Sequence, residues 1–119
     1  MSSNDIIRLK EMKDAAEKVA RITNGKTREM FLIDELLHLA STHLIEIIGE
    51  AASEISDDLK EKHPDVPWKA IIGMRNRLIH KYFDVNLEIV WNTIIKDIPP
   101  LLRQLKAIIE AMEKPAMNS

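Results

Sequence analysis

One short stretch of this chain carries the residue types that chemistry on a phosphate ester requires. Arg75 is followed after four residues by His80, and Tyr82 lies two residues beyond the histidine. A histidine takes and gives a proton near neutral pH, while an arginine keeps its charge and binds a phosphate through two donors at once. This pair suits RNA cleavage. The histidine would assist attack by the ribose 2′-hydroxyl or protonate the leaving oxygen, the arginine would stabilise the added negative charge, and no metal or cofactor is required.

The same stretch is locally cationic, although the chain as a whole is not. No Asp or Glu occurs from Val66 to Phe83, whereas the formal net charge of the chain is −2. We interpret this window as an anion site in which basic residues hold RNA phosphates; besides Arg75 they are Lys69, Arg77 and Lys81. The alternative is a solvated basic helix face, which charge alone favours. The histidine and tyrosine shift the balance toward a site, and the overall charge restricts any RNA binding to a local surface.

Helical spacing sets a limit on this site. At about 3.6 residues per turn, a step of five residues turns about 140° beyond a full circle, so Arg75 and His80 do not point the same way on a regular helix. Arg75 and Tyr82 nearly do. Three arrangements would resolve the mismatch: the arginine side chain reaches around, the helix unwinds near His80, or a second subunit completes the site. A two-fold dimer would bring two copies of Arg75 and His80 into one cleft.

The composition predicts an all-α protein. The chain has 119 residues, of which 45% are apolar and 30% charged, with three glycines and no cysteine. This length indicates a single domain over 1–119, with an ordered core of about 4–113. Few glycines and long stretches without proline favour helices over a turn-rich sheet. We therefore predict an antiparallel bundle of four to five helices that forms a two-fold dimer.

Apolar spacing and capping residues place the first two long helices. An amphipathic helix is predicted over 4–22 and is ended by Asn24-Gly25. Thr27 opens a short helical turn, and Asp34 caps a second long helix that runs to about Lys62. Gly49 lies in the middle of that helix, where a small residue would let another helix approach closely.

The second half of the chain predicts three more helices. Pro67 suits the first turn of a third helix that ends near 80–82. Asn86 caps a fourth helix. Asp97 then caps a fresh start, because Pro99-Pro100 fit a first turn but would break a helix interior.

Two histidines and two tryptophans outside the motif have structural explanations. His38 and His43 are five residues apart, not the four of a helical metal pair, so we interpret them as polar-face or boundary residues rather than metal ligands. Trp68 and Trp91 are interpreted as packing anchors rather than base-stacking platforms.

The location of the protein follows from what its sequence lacks. Without cysteine there is no disulfide framework and no thiol chemistry. The start, MSSNDIIRLK, is not a signal peptide, and no apolar run approaches the roughly 18 residues of a membrane span. We expect a cytoplasmic protein.

Two segments resemble a known family closely. They are IEIIGEAASEISDDLKEKHPDVPW and IIGMRNRLIHKYFDVNLEIVWNTIIKDIPPLL, and the resemblance, to the HepT-like branch of the HEPN domains, covers about residues 5–112. The family's pattern of Arg, four residues, His, one residue and Tyr maps onto Arg75, His80 and Tyr82, with Asn76 as the supporting polar residue after the arginine.

The resemblance implies a function and a partner. It implies a helical-bundle homodimer that acts as a metal-independent endoribonuclease toxin. It also implies an antitoxin of the minimal nucleotidyltransferase type, MntA-like, that adds AMP to Tyr82. Two other interpretations stay open. One is a non-catalytic helical subunit that binds nucleotide or partner for a nucleotidyltransferase, and the other is a structural dimer in which Arg75 and His80 make only interface hydrogen bonds. The intact His80 favours the enzyme.

Overall fold

The fold is a bundle of helices, as the composition predicts. A computed structural model of the protein describes residues 4–80 and 86–114, with Ile79 and His80 described by their backbone alone. Within these residues there is no strand. The helices are α1 (Asn4–Thr23), α2 (Arg28–Ile33), α3 (Glu35–Ser53), α4 (Asp57–Lys62), α5 (Trp68–His80), α6 (Leu87–Asn92) and α7 (Ile98–Glu113), with a π-helical turn over Thr93–Asp97 between the last two. None of the described helices is both long and apolar enough to cross a membrane.

The centre of the bundle is formed by α1, α3 and α7. The apolar stripe of α1 faces both of the other helices, and its central residues Leu9, Met12, Ala16 and Val19 have no exposed surface. Leu105 of α7 is equally buried. An amphipathic helix is stable only when this stripe is covered, so α1 depends on α3 and α7 for its structure. The prediction of a first helix over 4–22 is confirmed to within one residue.

Both tryptophans pack into the core, as predicted. Trp91 contacts Phe31, with 5.2 Å between the ring centroids, and so joins α6 to α2. Trp68 is buried at the start of α5, where its Nε1 donates a hydrogen bond of 3.0 Å to the His63 carbonyl. The indole N–H is thereby satisfied inside the protein, which is what a buried tryptophan requires.

Most of the predicted helix boundaries are confirmed by capping hydrogen bonds. The side chains of Thr27, Asp34 and Asn86 each accept a hydrogen bond from a backbone N–H in the first turn of the helix that follows. The turn after α1 passes through Gly25, whose φ of 77° suits glycine.

The second long helix is shorter than predicted, and this prediction was wrong. It ends at Ser53 instead of continuing to Lys62, and α4 begins separately at Asp57. Ser56 caps α4 through a 3.2 Å hydrogen bond from Leu59 N–H. The buried carboxylate of Asp5 accepts hydrogen bonds from both the backbone N–H (2.9 Å) and the hydroxyl (2.6 Å) of Ser56. Those bonds hold Ser56 outside a helix, because a continuous helix would direct its N–H to a carbonyl one turn earlier.

The predicted helix start after Asp97 is confirmed, with Pro99 and Pro100 in the first turn of α7, but the predicted cap by the Asp97 side chain is wrong. The chain stays helical from Leu87 to Glu113, and Asp97 makes no capping hydrogen bond through its side chain. A π-helical turn over Thr93–Asp97 joins α6 to α7, and Ile98 N–H donates to the Thr93 carbonyl, five residues back. Pro99 and Pro100 carry no N–H, so the wider turn lets helical structure continue where a regular α-helix would lose hydrogen bonds.

The buried Asp5 allows a test of the break between α3 and α4. Asp5→Ala leaves two donors of Ser56 unsatisfied in a place where residue Asp5 is only 1% exposed. We expect a loss of about 2–3 kcal/mol in the free energy of unfolding, measured by urea denaturation. Asp14→Ala is the matched control, because the ion pair of Asp14 with Lys18 is exposed and worth about 0–1 kcal/mol. Equal losses in the two variants would contradict this account.

Candidate active site

The position of Arg75 depends on a glycine in the neighbouring helix. Helix α5 packs chiefly against α3, and Gly49 of α3 faces Arg75. A Cβ atom added at Gly49 would overlap the Arg75 Cβ, and it would lie 2.9 Å from the Arg75 Cγ and 3.1 Å from the Ile71 carbonyl oxygen. Only a residue without a side chain permits this approach. The prediction that Gly49 admits another helix is confirmed, and the helix it admits is the one that carries the motif.

The guanidinium of Arg75 is held on two sides. Its Nη2 forms an ion pair with Glu50 Oε2. Its Nη1 donates a hydrogen bond of 2.8 Å to Asn76 Oδ1. The Nε atom is buried and has no hydrogen-bond partner among the described residues. The side chain is 27% exposed, so part of it faces solvent while its orientation is determined by the protein.

Glu50 is a site residue that the sequence reasoning missed. The prediction used Gly49 for its size and did not consider the next residue, which supplies the carboxylate. The signal was present, because the window from Val66 to Phe83 contains no acidic residue and a half-buried arginine needs a partner from elsewhere. The sequence could not show which of the many carboxylates pairs with Arg75, because that depends on the contact of α3 with α5.

Two of the other basic residues predicted to bind phosphate, Lys69 and Arg77, do not lie beside Arg75. Lys69 and Arg77 are both exposed on α5. With about 100° of rotation per residue, helical positions 69, 73, 77 and 80 fall within about 80° of one another, and position 75 lies on the opposite side of the helix. Arg77 contacts Met74, with 3.5 Å from its Nη2 to the sulfur. The described part of the cationic stretch therefore has two faces, and of Lys69, Arg75 and Arg77 it is Arg75 that is directed toward α3.

The helix that carries the motif limits how Arg75 and His80 can be brought together in one site. Helix α5 continues through His80, so unwinding before that residue is not observed, and the angle of about 140° between positions 75 and 80 persists. The Arg75 guanidinium is turned toward Glu50. The side chain of His80, and the whole of Lys81 and Tyr82, lie outside the described residues, so their expected roles stay predictions.

The two other helical histidines have ordinary surroundings. His38 lies edge-on to Phe31, with 6.2 Å between the rings, and the exposed His43 lies 3.6 Å from a Glu46 carboxylate oxygen. Across residues 4–80 and 86–114, no group of three or more His, Cys, Asp or Glu side chains is placed to hold a metal ion.

The fold and the motif together define a class of protein: an all-α bundle that carries an arginine and a histidine five residues apart on one helix. The chain belongs to the ribonuclease HepT-like family, whose sequence model matches residues 12–108. The matched region contains the complete motif from Arg75 to Tyr82, together with Gly49 and Glu50.

Several named proteins are similar to this chain. A protein of Caldanaerobacter subterraneus subsp. tengcongensis named "Putative RNase" is 48% identical over 86 residues, which are 72% of this chain and 77% of that protein. "Probable ribonuclease HepT" of Thermococcus cleftensis is 39% identical over 93 residues, 78% of this chain and 84% of that protein. A "Putative RNase" of Methanocaldococcus jannaschii is 36% identical over 111 residues, 93% of this chain and 88% of that protein. No solved structure matches the chain.

Two glycines in helix interiors provide a matched test of the contact between α3 and α5. Replacing a helical glycine by alanine usually gains about 1 kcal/mol. Gly73→Ala should show much of this gain, because a Cβ at Gly73 would have no neighbour within 4 Å among residues 4–80 and 86–114. Gly49→Ala should instead lose about 1–3 kcal/mol, because α5 must move away from α3. Urea denaturation measures both variants, and a Gly49→Ala protein as stable as Gly73→Ala would contradict the close packing at Arg75.

Proposed function

We propose that this protein is a metal-independent endoribonuclease and the toxin of a toxin–antitoxin pair in the cytoplasm. The observation that carries the proposal is the placement of Arg75, on the helix that also contains His80. Its Cβ lies against Gly49, and its guanidinium is held by Glu50 and Asn76. Membership of the ribonuclease HepT-like family supports it. RNA is the substrate class, as it is in the names of the relatives described above.

The proposed reaction needs only groups that this chain supplies. The ribose 2′-hydroxyl attacks the adjacent phosphorus, the bond from phosphorus to the 5′-oxygen breaks, and a 2′,3′-cyclic phosphate remains. His80 accepts the proton of the 2′-hydroxyl or gives a proton to the departing 5′-oxygen. Arg75 binds the phosphate and stabilises the negative charge that grows on its oxygens during attack. Asn76 supports the orientation of Arg75 through its hydrogen bond.

A second copy of the chain would bring Arg75 and His80 together. The angle of about 140° between their positions separates them within one helix. The surface of α3 supports such a pairing, because Leu36 and Leu39 are exposed (80% and 52%) although they are large and apolar. These residues and Glu50 lie on one stripe of α3, within about 60° of each other around its axis. A partner seated along this stripe would reach the ion pair of Glu50 with Arg75.

Substrate binding and regulation complete the proposal. Arg77, Lys81 and Lys69 would hold phosphates of the RNA on either side of the bond that is cut. A nucleotidyltransferase antitoxin of the MntA-like type would add AMP to Tyr82. The added phosphate would bring negative charge to this cationic stretch, and the bulk of the nucleotide would fill the cleft.

One observation favours a different role for Arg75. Its ion pair with Glu50 joins α5 to α3, as a purely structural arginine would. A structural dimer without catalysis would use the same contact. The next experiment distinguishes an enzyme from a structural dimer by measuring both RNA cleavage and folding of each variant.

Substitution of the motif tests catalysis. His80→Ala should lose RNA cleavage by about 10² to 10⁴-fold or more while the fold persists, because proton transfer contributes a factor of that size. Arg75→Ala should be similarly impaired, and Arg75→Lys should recover little, because a point charge lacks the two-donor fork. EDTA should leave the rate unchanged.

Cleavage of labelled RNA gives the rates, circular dichroism checks the fold, and His63→Ala is the control histidine. If His80→Ala cuts RNA at the normal rate, the mechanism is wrong.

Mixing two inactive proteins tests whether the site is shared between subunits. In a dimer formed from Arg75→Ala and His80→Ala chains, one intact arginine and one intact histidine remain, each on a different subunit. If they act together, the mixture should recover about a quarter of the normal rate, since random pairing gives half mixed dimers with one complete site each. Each protein alone should stay inactive. A mixture that remains inactive, or a protein that sediments as a monomer at micromolar concentration, would contradict the shared site.

Tyr82 tests the proposed control. Tyr82→Phe should remain toxic when expressed, because the ring persists and the hydroxyl has no part in the proposed cleavage. It should escape neutralisation by the nucleotidyltransferase encoded with it, since no hydroxyl can accept AMP. Mass spectrometry of wild-type protein co-expressed with that enzyme should locate one or more AMP groups on Tyr82. Suppressed toxicity with Tyr82 unmodified would mean that the partner acts by binding alone.

A further inference from the structure

A groove of about 610 Å³ separates α5 from the π-helical turn and the start of α7. It exists because α5 packs chiefly against α3 and leaves its other side uncovered. The groove is predominantly apolar; its larger apolar side chains are Ile45, Ile48, Ile71, Met74, Ile98 and Leu101. Pockets that bind small ligands have volumes of about 300–1,000 Å³, so a nucleotide-sized group would fit.

The charged side chains that line this groove come from opposite walls. Arg77 extends from α5, and Asp97 stands at the end of the π-helical turn. Both are exposed. Neither forms an ion pair with another residue in the described part of the chain. An apolar groove with a cation on one rim and a carboxylate on the other can receive a ligand that is apolar on its faces and polar at its edge.

Gly73 keeps the groove open. It lies in the interior of α5 and lines the groove. A helical glycine costs about 1 kcal/mol relative to alanine. Packing against the described residues does not require one here, because an added Cβ would have no neighbour among them within 4 Å. This contrasts with Gly49, where packing does require it. The effect of Gly73 is therefore to leave space above α5.

The groove lies on the same side of α5 as the helical position of His80. With about 100° of rotation per residue, position 80 falls within about 20° of position 73 and within about 60° of position 77. A ligand seated over Gly73 and Arg77 would therefore extend along α5 toward the histidine position, at a rise of about 1.5 Å per residue.

We propose that this groove binds an unpaired nucleobase next to the phosphate that is cut, and that it favours a base with an exocyclic amino group. This inference rests on the proposed RNase function. The flat faces of the base would contact Met74 and Ile98, as bases splayed out from single-stranded RNA are bound by apolar and aromatic surfaces. The Asp97 carboxylate accepts a hydrogen bond from the amino group, and Arg77 stacks on the base or holds its phosphate.

A nucleobase fits this groove better than an apolar helix of a partner does. An apolar helix would bury Arg77 and Asp97 without partners, and the desolvation of two charges would oppose its binding. A nucleotide presents an amino group to the carboxylate and a phosphate to the guanidinium, so both charges gain a partner. Adenine, cytosine and guanine carry an exocyclic amino group, whereas uracil does not.

The test uses RNA that the protein cannot cut. Labelled 2′-O-methyl oligomers of about 12 nucleotides, made only of adenosine, cytidine or uridine, lack the free 2′-hydroxyl and report binding alone. By fluorescence anisotropy, the wild-type protein should bind the adenosine and cytidine oligomers about tenfold more tightly than the uridine oligomer. Gly73→Phe fills the groove and should weaken binding of the first two about tenfold. Ala107→Phe places the same ring at an exposed position of α7 outside the groove, so this control should bind as wild type does. Asp97→Ala should bring the three affinities to the same value.

Three outcomes of the binding and sedimentation measurements would overturn the inference. Equal binding of the three oligomers by the wild-type protein would exclude recognition of an amino group. Unchanged binding by Gly73→Phe would place the base elsewhere. A Gly73→Phe protein that sediments as a monomer, where the wild type is a dimer, would identify the groove as a subunit interface.

The RNase proposal is judged separately, by cleavage of unmodified RNA. If the wild type cuts that RNA without base preference, only the groove inference fails, and if the groove binds bases but no RNA is cut, only the RNase proposal fails.

Discussion

The close contact of α3 and α5 at Gly49 is the constraint on which the rest of the candidate site depends. Helices approach this closely only where one of them lacks a side chain, and Gly49 lacks one opposite Arg75. The same contact determines which side of α5 faces the bundle, and therefore which residues of the motif are exposed. It also brings Glu50 within reach of the guanidinium, since the carboxylate is carried by the next residue of α3. One glycine thus determines the position, the partner and the burial of the arginine.

This orientation divides a cationic segment that looks uniform in the sequence. Arg75 is turned toward α3 and a carboxylate, whereas Lys69 and Arg77 remain exposed on the other side of α5. The open side exists because α5 packs chiefly against one helix, and the π-helical turn that follows α6 forms the far wall of the resulting groove. The two faces suit two tasks in an enzyme that acts on RNA: stabilisation of charge at the reacting phosphate, and binding of the nucleotides around it. A catalytic histidine on the second face would then join the first face only through another subunit.

Features of the fold and the site could be predicted from the sequence where they depend on residues close together in the chain, and not where they depend on distant ones. Most of the helices, the caps at Thr27, Asp34 and Asn86, and the packing of both tryptophans follow from local spacing, and they were predicted correctly. The break before α4 was missed because it depends on Asp5, which lies 51 residues from Ser56 in the chain. The π-helical turn was missed because proline indicates lost hydrogen bonds without indicating how the chain compensates. Glu50 was missed for the same reason as Ser56, since its role exists only once two distant helices are in contact.

The ion pair of Arg75 with Glu50 is compatible with phosphate binding when the donors of the guanidinium are considered individually. An arginine has five N–H donors. In the described part of the chain, the Nε donor is buried, one donor of Nη2 is directed to Glu50, and one donor of Nη1 is directed to Asn76. One N–H on each terminal nitrogen remains, which is the number that a bidentate phosphate contact requires. A lysine in the same place would have three donors on a single rotating nitrogen and could not divide them in this way. The carboxylate therefore acts as a support that orients the fork, and the charge it partly neutralises is the reason that a half-buried arginine is tolerated between two helices.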